Sequence, residues 1–214
     1  MQLGKKRALH LMLFILAGFV LLTLFIHLFP SSWIDREFSE EIQEQQNPFL
    51  DMLMKGISWF GQTWNSVGIV VFVSLILLFL RQKKEAFFTS LTLATGLITY
   101  SIKVLVNRPR PSQKLVHILE MAKHQSFPSG HTSFYIAFFG FIAFLLYNHK
   151  WLNVVIRSVL ISLCMFLIFS IPVSRIYLGA HWFTDVLGGF MVGLLCLILI
   201  IGFYLRATKN AELT

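Results

Sequence analysis

Six apolar runs dominate the chain and restrict what it can fold into. They cover approximately residues 8–29, 64–80, 86–106, 132–147, 152–173 and 182–205, near the roughly 20 residues a helix needs to cross the hydrocarbon core of a bilayer. The second and fourth are short and borrow flanking residues. With 56% hydrophobic and only 13% charged residues in 214 positions, the chain is far from a soluble composition, in which charged residues reach about 25%. The expectation is an all-α, six-span transmembrane helix bundle built as one domain over 1–214. The first run follows Lys5-Lys6-Arg7 but lacks a small-x-small cleavage site and outlasts a signal peptide's apolar core, so it reads as a retained span. Cys164 and Cys196 fall inside apolar runs and read as small hydrophobes rather than a disulfide or metal pair.

Orientation follows from the placement of Lys and Arg. Ten cations (Lys5, Lys6, Arg7, Arg81, Lys83, Lys84, Lys150, Arg157, Arg206 and Lys209) fall on one side with only Glu85 and Glu212 as acids. The other side carries eight cations and eight acids, six of the latter (Asp35, Glu37, Glu40, Glu41, Glu44, Asp51) in the first outer loop. Both termini are therefore expected in the cytoplasm. The net charge of +8 belongs to a basic cytoplasmic edge and gives no reason to invoke nucleic acid. In the first outer loop Ile34, Phe38 and Ile42 recur at helical spacing with acids opposite, Asn47-Pro48 interrupts, and Phe49, Leu50, Leu53, Ile57 and Phe60 make a second stripe. These are amphipathic interfacial helices, a structural brim. The third run is rich in small residues, which permit close packing, and is expected in the bundle interior.

Ionisable groups at the membrane edge are costly and point to function. Outer cations gather at "KVLVNRPRP", where Lys103 and Arg110 are separated by six residues and two prolines stiffen the exit, and at Arg175. "FPSGHTS" makes a turn, Pro128-Ser129-Gly130, that leads directly into the fourth run with His131 at its start. A helix N-terminus of this kind presents unpaired N–H groups to an anion. In "SRIYLGAHWFTD", Pro172 is expected to end or kink the fifth run just before Ser174-Arg175, and His181 and Asp185 are four residues apart on one helical face. Alternation of spans puts all three segments on the outer side. A carboxylate that fixes one imidazole nitrogen leaves the other as a nucleophile. Lys103, Arg110 and Arg175 can hold a phosphate and stabilise charge developing on it, and His131 can protonate a departing alcohol oxygen.

Together these segments resemble the type 2 phosphatidic acid phosphatase family, which is related to the vanadium haloperoxidases. The family pattern Lys-x6-Arg-Pro, Pro-Ser-Gly-His and Ser-Arg-x5-His-x3-Asp is met by Lys103 with Arg110-Pro111, by Pro128-Ser129-Gly130-His131, and by Ser174-Arg175 with His181 and Asp185. The resemblance implies a membrane lipid phosphatase. In it His181 becomes a phosphohistidine, Asp185 orients it, and His131 protonates the leaving group and then activates water. The phosphate is held by Lys103, Arg110, Arg175, the Ser129 hydroxyl and the Gly130 N–H. It further implies that no metal or cofactor is needed. Arg108, Lys114, His117, Lys123 and His124 lie outside the pattern, as headgroup-steering groups or an ordinary solvated loop. His10, His27 and His149 read as structural.

Two other enzyme classes would need signatures of their own. An acyl hydrolase would call for a Gly-x-Ser-x-Gly elbow and a zinc enzyme for a pattern such as His-Glu-x-x-His; neither occurs, and clustered cations would repel a metal ion. A non-catalytic protein binding or transporting anionic lipids through the same pocket is the remaining alternative. The expected partners are the bilayer and a lipid phosphate substrate: undecaprenyl diphosphate, phosphatidylglycerophosphate, phosphatidic acid or a lipid A phosphate. The compact length suggests a bacterial cytoplasmic (inner) membrane with the site facing outward, an organelle membrane being the alternative.

Overall fold

The computed structural model describes residues 2–149 and 152–211; Lys150, Glu212 and the side chain of Lys5, counted above among the charges, lie outside what it describes. Among the described residues the regular elements are all helices, α1 (Gln2–Leu28), α2 (Trp33–Gln43), α3 (Pro48–Trp59), α4 (Thr63–Phe79), α5 (Lys83–Leu91), α6 (Ala94–Val106), α7 (Gly130–Asn148), α8 (Val154–Tyr177) and α9 (Phe183–Ala211). Five segments are long and apolar enough to cross a membrane: Lys6–Leu28, Lys83–Val106, Gly130–Asn148, Val154–Tyr177 and Phe183–Lys209. A sixth arises if α3 and α4, bent by 55°, are taken as one.

Local chemistry sets the boundaries. Ser32, Asn47, Ser129 and Asn153 each cap a helix, their side-chain oxygens accepting the N–H three residues on. Asn107, in the left-handed region at φ 49°, ends α6 and releases the Arg-Pro segment. At the end of α8, Gly179 takes φ +67° and a Cβ there would collide with His117 O, so the turn into α9 requires glycine.

α7 is the centre of the bundle, with α8 and α9 as its main partners; Phe134, Tyr135, Ile136, Ala137, Phe138, Phe139 and Phe141 are all buried along it. In lipid, apolar burial does not draw helices together, so close contact must come from shape and hydrogen bonds. Gly189 and Gly193 of α9 provide it: a Cβ would stand 2.5 Å from Ser129 O at the first and 2.8 Å from Ser133 O at the second. In that contact Ser133 Oγ donates to Gly189 O at 3.0 Å. The glycines thus press the start of α9 against the start of α7. Cys164 and Cys196 are both free and buried.

Four features differ from the sequence reading or narrow it. The third apolar run is two helices: the Thr92 hydroxyl donates to Thr89 O at 2.6 Å, and the backbone bonds tighten to three-residue spacing between α5 and α6. That run also borders the interior rather than filling it, presenting Thr89, Thr92, Thr95, Thr99 and Lys103 inward and leaving Leu97, Tyr100 and Leu105 outside. Of the two outcomes expected at Pro172, an end is not found: α8 continues past it to Tyr177. Finally, α2 does not turn all its acids to solvent, because Asp35 is fully buried while Phe38 is partly exposed and stacks on Phe183 at 4.1 Å.

Candidate active site

The C-terminal turn of α6 with its following loop, the N-terminus of α7 and the α8–α9 junction meet at one end of the bundle. Lys103, buried in the last turn of α6, donates to Gln125 O at 2.7 Å and Ser126 O at 3.0 Å. Arg110 folds back across the loop and donates to His124 O at 2.8 Å, Lys123 O at 3.0 Å and Ala180 O. Its Nη1 stands 3.2 Å from Nε2 of His181. Burial and then the neighbouring Arg175 pull the Arg110 pKa down to about 10, which leaves it charged at neutral pH.

His181 is buried in the α8–α9 turn. Burial, followed by Arg110, Lys103 and Arg175, holds its imidazole well below the usual 6.5, so it is neutral at pH 7. Its Nδ1 lies 3.5 Å from Oδ2 of Asp185 and has no hydrogen-bond partner among the described residues. The pair is therefore adjacent without a formed hydrogen bond. Asp185 instead accepts from Ser126 Oγ, from Trp182 N at 2.9 Å and from Arg108 Nη1 at 2.5 Å.

Ser129 is the N-cap of α7; its Oγ accepts from the Thr132 hydroxyl at 3.0 Å and its N–H donates to Asp185 O at 2.9 Å. Gly130 follows as the first helical residue, where N–H groups have no intrahelical acceptor. A Cβ on Gly130 would lie 4.0 Å from Lys103 Cε, which places that backbone beside the ammonium stem. His131 comes next, partly buried, with a buried Nε2 that is unpartnered among the described residues and within electrostatic reach of Arg175, His181, Arg110 and Lys103. Arg175, wholly buried on α8, donates through Nη1 to Ser58 Oγ and to Glu120 Oε2 at 2.9 Å, while its Nε and Nη2 have no partner among the described residues. An open cleft of about 510 Å³ lined by Lys55, Gly56, Trp59, Phe60, Gln62 and Glu120 adjoins this ion pair.

Several groups at the site escaped the sequence reading. Arg108 is not a solvated loop residue: it is 3% exposed and bridges Asp185 and Asp35. Asp35 is hidden because Ser32-x-x-Asp35 reads as an ordinary helix cap. Ser58, Gly61 and Glu120 come from segments without any motif. Of the loop residues set outside the pattern, His117 pairs through Nδ1 with Gln46 Oε1 at 2.6 Å, and Lys123 and His124 contribute only backbone oxygens to Arg110. Among the described residues no group of three or more His, Cys, Asp or Glu is placed to hold a metal ion.

Comparison with known proteins fits this geometry to a family. The sequence profile described as the PAP2 superfamily matches residues 84–209. The chain is 29% identical over 187 residues to phosphatidylglycerophosphatase B of Bacillus subtilis, covering 86% of this chain and 90% of that protein. It is 26% identical over 163 residues to an undecaprenyl-diphosphatase of Sulfolobus acidocaldarius, covering 73% of this chain and 72% of that one. Among solved structures, the transmembrane PAP2-type phosphatidylglycerolphosphate phosphatase from Bacillus subtilis superposes with a TM-score of 0.82 at 26% identity, over 91% of this chain and 96% of the other. The profile takes in most of the helical bundle, including every segment that supplies a cation or histidine to the site, and the chain belongs to the PAP2 superfamily.

Proposed function

We propose that this protein is an integral membrane lipid phosphatase that hydrolyses a phosphate monoester or diphosphate of a membrane lipid through a phosphohistidine, without a metal. The observation that carries the reading is the set of three buried polar atoms without partners among the described residues, Nε and Nη2 of Arg175 and Nε2 of His131, gathered where Arg110, Lys103 and Nε2 of His181 also arrive. Unpaired buried donors are expensive, and a phosphate would satisfy them together.

In this mechanism Lys103, Arg110, Arg175, the Ser129 hydroxyl and the Gly130 N–H hold the phosphate oxygens. Nε2 of neutral His181 attacks phosphorus in line, and the bond to the lipid oxygen breaks. His131 gives its proton to that oxygen; the negative charge brought by the substrate favours the imidazolium form needed for this. Water then attacks the phosphohistidine, losing its proton to His131, and inorganic phosphate leaves with His181 restored. Asp185 orients His181, its 3.5 Å separation shortening once the site is filled, as catalytic hydrogen bonds are often long before substrate binds. The clustered cations stabilise charge on the transferring group, as magnesium does in other phosphoryl-transfer enzymes.

The fold is one domain over 1–214 with six spans. α4, 17 residues long, is the second, and α2 and α3 lie at the outer interface. Both termini are cytoplasmic and the site faces outward, in a bacterial inner membrane. The resemblance to a phosphatidylglycerophosphatase and an undecaprenyl-diphosphatase supports a glycerophospholipid phosphate or a polyprenyl diphosphate as substrate. The test is phosphate release from vesicles carrying each lipid in turn, with His181→Ala beside the wild type. Turnover that survives the substitution excludes the phosphohistidine. Orthovanadate should inhibit, since its five-coordinate adduct on His181 mimics the transition state. EDTA should have no effect, and inactivation by it would refute the metal-free mechanism.

A further inference from the structure

Arg108 has every arm occupied. Nε and Nη2 donate to Pro30 O at 3.1 and 2.8 Å, Nη1 to Thr184 Oγ1 at 2.7 Å and Asp185 Oδ1 at 2.5 Å, and Nη2 to Asp35 Oδ2 at 2.7 Å. Asp35 in turn accepts Ser32 Oγ at 2.9 Å on Oδ2, and the N–H and hydroxyl of Thr184 at 2.9 and 2.8 Å on Oδ1. Asp35, Arg108, Thr184 and Asp185 are all 3% exposed or less. One cation thus lies between two buried carboxylates, one of them the neighbour of the His181 ring.

We infer that Asp35 and Arg108 are positioning residues for His181, acting through Asp185. Arg108 claims Oδ1 of Asp185, which leaves Oδ2 for Ser126, the Trp182 N–H and the Nδ1 edge of His181. A carboxylate without that anchor could turn about its terminal torsion, which is broad and roughly two-fold, and exchange its oxygens. Asp35 fixes the anchor: it holds Arg108 and also the first turn of α9, so the guanidinium and the residue beside Asp185 are gripped by one group. The outer-loop helix α2 is thereby tied to the orientation of the nucleophile. A plain structural staple would share these bonds, but it would not set the charge felt by the imidazole.

That charge separates the two. His181 faces Arg110 and the Ser126 backbone from the loop after α6, Lys103 of α6, His131 of α7, Arg175 of α8 and Asp185 of α9, with Arg108 behind Asp185. Arg108 offsets part of the Asp185 charge, and Asp35 offsets part of Arg108. Losing Arg108 should let Asp185 stabilise the imidazolium and move the acidic limb of kcat/KM to higher pH; losing the Asp35 charge should move it to lower pH.

The inference rests on the phosphatase reading, and the experiment keeps the two apart. Arg108→Gln, Arg108→Lys, Asp35→Asn and the Arg108→Gln/Asp35→Asn double variant are assayed for phosphate release across pH on detergent-solubilised protein. For Arg108→Gln, kcat should fall about 100-fold with KM within about 3-fold, and the limb should rise by about half a pH unit. Asp35→Asn should lower kcat about 10-fold and shift the limb the other way. The double variant should match Arg108→Gln in kcat but have its limb nearer the wild-type position, since both opposed charges are gone, and Arg108→Lys, which keeps the charge, should also return the limb to its wild-type position. A fall in activity that scales evenly across pH, or additive losses of kcat in the double variant, overturns the inference in favour of a structural staple. If the wild type releases no phosphate from any lipid, the functional reading fails instead. The ¹⁵N-histidine titration of His181, identified by its loss in His181→Asn, still tests for the opposed shifts; without them the inference fails as well.

Discussion

Gly61 touches the site only through the space it leaves. It sits between α3 and α4, and a Cβ there would stand 2.8 Å from Cγ of the His131 ring, closer still to Cδ2, and 3.1 Å from the Tyr135 ring. Its φ is not in the left-handed region, so Gly61→Ala adds a methyl group without backbone strain. To regain ordinary contact the imidazole must retreat by about 1 Å, a displacement that can lower turnover about 100-fold, or about 2.7 kcal/mol of transition-state stabilisation. The ring is free to yield, since its Nε2 has no hydrogen-bond partner among the described residues, whereas Tyr135 is anchored by its bond to Ile57 O. The assay is kcat for phosphate release, with Gly68→Ala as the companion: a Cβ there meets nothing within 4 Å, and in mid-helix it should stabilise by about 0.5–1 kcal/mol. If Gly61→Ala keeps kcat within about 3-fold of wild type, the exposed loop rather than the ring has moved, and the placement of His131 as proton donor loses this support.

Gly179→Ala should lower the melting temperature in detergent, because φ +67° costs an L-residue about 1–3 kcal/mol and the added Cβ meets the His117 backbone; an unchanged melting temperature would contradict the turn geometry. Glu120→Gln should tighten orthovanadate inhibition about 3–10-fold, since the carboxylate on Arg175 competes with an anion for the same guanidinium. Weaker inhibition would mean that Glu120 positions Arg175 instead. The pH profile of kcat/KM should be bell-shaped, and His131→Asn should remove its alkaline limb. Stability should also respond to pH: the folded pKa of His181 lies below 6.5, so between the two values the unfolded chain binds more protons and stability rises with pH up to about 6.5. His181→Asn should flatten that rise in a melting series.

The parts of the fold that lie in one-dimensional patterns were legible in the sequence, and the rest depended on packing. Apolar length located α7 and α8 to within about four residues and α1 and α9 to within about six, since in lipid the backbone must pair within its own segment. The break between α5 and α6 was not legible: it arises where a threonine hydroxyl competes with the helical ladder, and other threonines in the same run do not break it. Thr99, whose hydroxyl bonds four residues back to Thr95 O, leaves α6 intact. Pro172 does not stop α8, its missing N–H removing one bond from a helix whose packing holds it together. At the site, Lys103, Arg110, Ser129, Gly130, His131, Arg175, His181 and Asp185 stand at fixed spacings and can be picked out as letters. Arg108 and Asp35 cannot, because they are 73 residues apart and each has a bland local explanation, as one arginine among several in a loop and as a helix cap.

The acids found only in the structure explain how the cations coexist. Lys103, Arg110 and Arg175 act on one another electrostatically, and in a medium of low dielectric such an assembly should shed protons or spread apart. Two kinds of compensation limit it. Around Lys103 and Arg110 it comes from backbone carbonyls of Ala180 and of residues 123–126, dipoles that steady a cation without cancelling its charge. Around Arg175 and Arg108 it comes from carboxylates, but with a difference in placement. Glu120 is partly exposed at the cleft, with 24% of its side chain accessible, so it can give way to an incoming anion. Asp35 is fully buried on the far side of Asp185 and cannot. Carbonyls thus leave the Lys103 and Arg110 charges available to an anion, a displaceable acid covers Arg175, and a fixed acid locks Arg108 against Asp185. If that division holds, neutralising Glu120 should change anion affinity more than turnover and neutralising Asp35 should change turnover more than affinity; the same pattern in both variants would show that the two acids do one job.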